Sequence, residues 1–168
     1  MNPEFDLFIS LSAIAGIFIG FGALITISTP NDKMTLGLLR GIVSVGLLTM
    51  VGCLIPVLLG RYGIENNSLW RWSSGTFLSL IWFALLHPAA RQVLLAQFKL
   101  NLKAALFFWI VVEIPIQLPL ILTIFGVYPN LHPAFYTTAI ILNLVQGGIL
   151  LVQIVYAAKS ESMNGNTN

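Results

Sequence analysis

Charge is the scarcest feature of this chain: Asp, Glu, Lys and Arg together make up 8% of its 168 residues. A soluble domain usually carries roughly 25%. One about three-fold poorer has too few polar groups to cover its own surface, which excludes a soluble globular enzyme. A hydrophobic share of 57% excludes a disordered chain. The net charge of +2 is spread over few groups rather than gathered in a basic patch, so no nucleic-acid partner is expected.

Other absences narrow the chemistry. The lone cysteine, Cys53, cannot close an internal disulfide, form a CxxC pair or build a metal cluster, and is expected as a small buried hydrophobe. The two histidines, His87 and His132, fall near opposite membrane faces and cannot jointly hold a haem or a metal. No lysine lies within an apolar run, and no arginine recurs every third residue as in a voltage sensor. No phosphate-binding glycine loop, H-E-x-x-H or G-x-S-x-G motif occurs, and Ser73 and Ser74 have no obvious base. Neither an enzyme nor a bound cofactor is expected. Residues 1–6 carry Glu4 and Asp6 but no base, unlike the basic start of a secretory leader, so the first apolar run is expected to be a retained span.

What the chain does have is long apolar runs, together with a mean hydropathy of +0.90. A helix needs about 20 apolar residues to cross the hydrocarbon core. Five such runs define the expected fold class: an all-α, polytopic integral membrane helix bundle with spans at about 7–27, 35–59, 69–86, 104–128 and 134–158. Residues 1–158 form a single transmembrane domain, and 159–168 a short polar tail expected to be disordered. Thr29-Pro30-Asn31-Asp32, Gly60-Arg61-Tyr62-Gly63 and His87-Pro88 punctuate the runs. The span at 69–86 is the weakest, because Arg71 sits in its first turn. Segment 89–103 places Leu94, Phe98 and Leu102 on one helical side and reads as an amphipathic cytoplasmic segment at the membrane surface.

The basic residues orient the chain. Lys33, Arg40, Arg91, Lys99, Lys103 and Lys159 fall on one side of a five-span model, Arg61 and Arg71 on the other. The positive-inside rule makes the richer side cytoplasmic, with the N-terminus outside and the C-terminus inside. The expected location is the cytoplasmic or plasma membrane. Trp70, Trp72, Tyr62, Tyr128 and Tyr136 are then expected at the outer interface, where amphipathic rings settle.

Helices in lipid associate through small residues that let backbones approach. Ser12, Gly16 and Gly20 in the first span, and Gly37 and Gly41 in the second, recur every fourth residue and are the candidate packing positions. They pair the first two spans, or one of them with another subunit. Pro56 should kink the second span and leave the carbonyl one turn earlier without its usual donor.

One constellation has chemical content. Glu113 is the only carboxylate deep within a span. A charged acid near the bilayer centre costs roughly 2.5–3.5 kcal/mol on insertion scales. Trp109, Glu113 and Gln117 form an i, i+4, i+8 stripe, with Pro115 and Pro119 bracketing Gln117. Tyr136, Asn143, Gln146 and Gln153 form a matching stripe on the last span. A short turn joins the two spans, so Glu113, Gln117, Asn143, Gln146 and Gln153 are expected to meet as an intramembrane polar site. The expected function is a non-enzymatic membrane component or subunit of a membrane complex. Its partners are the lipid bilayer and a second copy or another membrane protein. A small transporter or channel with a polar path centred on Glu113 is the alternative, and a membrane-embedded enzyme the third.

Overall fold

The computed structural model describes residues 3–28, 33–86, 103, 106 and 109–164, giving only the helix backbone for 3–4, 26–28, 33–40 and 154–164. It is helical over 93%, with five α-helices and no strand among the described residues. They are α1 (Pro3–Ser28), α2 (Lys33–Arg61), α3 (Asn66–Leu86), α4 (Ile114–Ile124) and α5 (His132–Asn164). A π-helical turn, Trp109–Glu113, runs into α4, and a 3-10 turn, Pro129–Leu131, precedes α5.

Successive helices alternate in direction. Phe5 at the start of α1 lies against Gly60 at the end of α2. Gly41 and Gly52 of α2 meet Leu150 and Ile140 of α5, in the reverse order. Arg71 at the start of α3 reaches Ile124 at the end of α4. Two helix ends on this side close the same way. Gly63 (φ 80) and Gly126 (φ 74) take the left-handed conformation that glycine adopts without a Cβ clash. Ile64 N–H donates to Leu59 O and Gly63 N–H to Gly60 O, while Val127 N–H donates to Leu122 O and Gly126 N–H to Thr123 O. Arg71 Nε donates to the last-turn carbonyl of Ile124 at 3.0 Å, placing a cation at the negative end of α4.

The core is aromatic. Phe8 of α1, Trp70 and Phe77 of α3 and Tyr136 of α5 cluster with ring centroids 5.7 to 6.0 Å apart. Each such pair contributes about 0.5–1.5 kcal/mol beyond its buried area. Trp70 and Tyr136 are buried in this core, whereas Tyr62, Trp72 and Tyr128 are exposed. Both rings in the core carry a polar end and an apolar body, and the apolar body wins because three helices supply ring partners there.

Small residues bring the helices of this chain close at particular positions. Of Ser12, Gly16 and Gly20, only Ser12 is buried; Gly16 and Gly20 face open space. The packed face of α1 is Phe8, Ser12, Ala15 and Gly22. A row stepping by four drifts about 40° around a 3.6-residue helix at each step, whereas alternating steps of three and four stay on one face. Among the described side chains Gly41 faces Leu150 of α5, and Gly37 lies outside them. The tight approaches are at Gly46, where an added Cβ would lie 2.7 Å from Ile19 Cγ1, and at Gly52 and Gly60.

Three helices contain a stretch long and apolar enough to cross a membrane: Phe5–Ile25, Gly41–Arg61 and Pro129–Gln153. Among the described residues, the helices in the expected spans at 69–86 and 104–128 are not in that set. In the first, α3 carries Asn66, Asn67, Ser68, Arg71, Ser73 and Ser74 in its first half. In the second, the described apolar helix covers only Trp109–Ile124. All five helices nevertheless expose large apolar side chains, among them Ile17, Leu54, Phe83, Leu118 and Val145. α5 continues to Asn164, into the expected tail from 159; residues 165–168 lie outside the described set. So does the expected amphipathic segment 89–103, apart from Lys103, which is helical.

Candidate intramembrane polar site

Glu113 ends the π turn and is buried at 5% exposure. The geometry before it follows from the prolines. Pro115 has no N–H to offer Val111 one turn earlier, and a π turn, closing i to i+5, is one way a helix absorbs such a break. Trp109 opens that turn. Its indole Nε1 is buried and has no partner among the described residues, while Gln117, on the regular helix, remains one turn from Glu113.

Gln117 Nε2 donates to Glu113 Oε2 at 3.3 Å, and Gln146 Nε2 from α5 donates to Glu113 Oε1 at 3.2 Å. Both carboxyl oxygens therefore accept from neutral amides, one on the acid's own helix and one across the interface. Asn143, one turn before Gln146, is turned the other way: its Nδ2 donates to Thr49 Oγ1 of α2 at 2.8 Å. Thr49 Oγ1 in turn donates to Val45 O at 2.8 Å. Tyr136 Oη donates to Gly52 O at 2.6 Å. That carbonyl is four residues before Pro56, so it is the one the proline deprives of a helical donor. The face of α5 thus divides its contacts, Gln146 holding α4 while Asn143 and Tyr136 hold α2.

The structure brings together Glu113, Gln117 and Gln146, with Asn143 beside them, and leaves Gln153 out. Gln153 keeps the same face but lies seven residues further along, about 10 Å by the helical rise, and is exposed. Thr49 is the member that the sequence did not reveal. Its only signal was a hydroxyl in the middle of an apolar run, and the level of Asn143 on another helix was needed to see its use. No group of three His, Cys, Asp or Glu side chains suited to a metal occurs among the described residues. The chain matches no family model, no curated protein and no solved structure.

Proposed function

We propose that this chain is a multi-pass, non-enzymatic component of the cell membrane that works as a helical subunit, in contact with lipid and with a second copy or another membrane protein. The observation that carries this reading is that three interior side chains of α5 bond across helices. Gln146 joins α5 to α4, and Asn143 and Tyr136 join α5 to α2. Such bonds set helix register in lipid, where apolar surface gives little drive to associate. The exposed apolar side chains on all five helices support immersion in lipid. Five crossings, N-terminus outside, remain the topology proposed. The low hydropathy of α3 does not oppose its crossing, because Ser73 and Ser74 point inward while Trp72, Trp82, Phe83 and Leu86 point out. Reporter fusions after Lys33, Glu65, Gln97 and Asn130 should alternate inside, outside, inside, outside. Two consecutive sites on one side would overturn the five-crossing arrangement.

A second reading, a small transporter with a polar path through Glu113, is favoured by the π turn and the two prolines beside the acid. Vesicles reconstituted with native protein and with Glu113→Gln separate the two. A helical subunit gives equal, background ion and proton flux in both. Native flux above background that Glu113→Gln abolishes would replace it with the transporter. In detergent, Glu113→Leu should lower unfolding stability by roughly 1–3 kcal/mol, because it strands two amide donors. Glu113→Gln, which keeps an acceptor, should lose less.

A further inference from the structure

We infer that His132 is an acid-released anchor that holds the turn between α4 and α5 against the bundle. From Phe125 to Leu131 no residue of that turn is buried, and Phe125, Tyr128 and Leu131 stand well exposed. Thr123 is the last buried side chain before the turn, and His132, at 1% exposure, is the first after it. The turn therefore docks through its two ends, and one of those ends is an ionisable ring. Tyr128 sits in the left-handed region (φ 53), which a residue with a side chain adopts at a cost, so the docked turn has to be held.

Both ring nitrogens of His132 are enclosed, and neither has a partner among the described residues. A neutral imidazole in that place leaves one donor and one acceptor unmet, whereas an imidazolium leaves two donors and a charge. Arg71 of α3 faces the ring with a positive charge of its own. The ring also belongs to the first residue of α5, at the positive end of the helix dipole. The Val127 carbonyl approaches without reaching bonding geometry; it is the one group that favours an extra proton, and it belongs to the turn itself. Asp6 of α1, Arg61 of α2, Glu65 before α3 and Tyr128 of the turn are exposed, α4 carries no charged residue, and Tyr136 is engaged with Gly52 O. A proton taken from the medium forms one N–H bond on the ring and breaks no bond in the chain. The imidazolium is solvated only when the ring leaves its site, and the turn leaves with it. Neutral His132 thus favours the docked turn, and that preference is lost as the pH falls below about 6.5, the value of an exposed histidine.

Hydrogen exchange of the full chain in lipid vesicles, followed between mildly alkaline and mildly acidic medium and corrected for the intrinsic pH dependence of exchange, tests this. The readout is the protection of the Gly126, Val127 and Leu131 amides, which close the turn by donating to Thr123 O, Leu122 O and Tyr128 O. Protection should be level in alkaline medium and fall by up to about ten-fold for each pH unit below 6.5, the slope that one coupled proton allows. His132→Phe, with an apolar ring in the same place, should keep protection level throughout. Arg71→Gln keeps the histidine and removes the facing charge, so its loss of protection should be smaller. Constant protection in the native chain overturns the anchor, and so does a loss that His132→Phe reproduces. Should His132→Phe not fold, a loss that Arg71→Gln leaves unchanged overturns it equally.

Discussion

Tyr136→Phe should lower the stability of the folded bundle by roughly 1–3 kcal/mol, the usual cost of leaving a buried polar group unpaired. The group stranded is not the tyrosine but the Gly52 carbonyl, to which the hydroxyl donates at 2.6 Å. Pro56 has already removed the helical donor for that oxygen, and it lies in the aromatic core around Tyr136, which is fully buried. The ring itself keeps its contacts with Phe8, Trp70 and Phe77 when only the oxygen is deleted. The explanation has a specific consequence. In a Pro56→Ala background the new N–H can bond Gly52 O within the helix, so Tyr136→Phe should then cost clearly less. Reversible unfolding in mixed micelles, measured for both single variants and the double, gives the coupling. Additive costs would show that the hydroxyl and the proline do not share that carbonyl.

Gly52→Ala should destabilise the bundle by about 1–3 kcal/mol through overpacking. An added Cβ would lie 2.6 Å from Phe77 Cε2, 2.8 Å from Phe77 Cδ2 and 2.9 Å from Ile140 Cδ1. Phe77 and Ile140 are both fully enclosed, so neither can swing into free space. Any shift of the Phe77 ring also disturbs its edge contact with Tyr136 and hence the bond to Gly52 O. Gly20→Ala is the contrast. Nothing lies within 4 Å of its Cβ position, so the substitution should be neutral or slightly stabilising. Melting curves of the two variants in the same detergent decide it. Equal losses at both positions would mean that the packed face of α1 is assigned to the wrong side.

The meeting of Glu113 with Gln146 was legible because both ends of the comparison were fixed. A short turn sets the two helices antiparallel, and counting from it gives the level at which their polar stripes face each other. The proline-freed carbonyl in α2 was legible too, since Pro56 names the oxygen it deprives. The donor that satisfies it was not. Tyr136 was expected at an outer interface by its chemistry, and only its place among three aromatic rings of other helices shows which carbonyl its hydroxyl meets.

The sequence by itself determined the helical class, the apolar runs and the residues that would be hard to leave in lipid. Composition and spacing act on each helix alone, and these properties need no neighbour. Which glycines pack was a different matter. A helix presents small residues on several faces, and a rotation of one residue, about 100°, exchanges one face for the next. Tertiary structure set Gly46 and Gly52 against neighbouring helices of the chain and left Gly16 and Gly20 open for that reason. It also recruited Thr49 and left Gln153 exposed, because a hydrogen bond requires two helices to agree in depth and rotation within about 3 Å. No single helix carries that information.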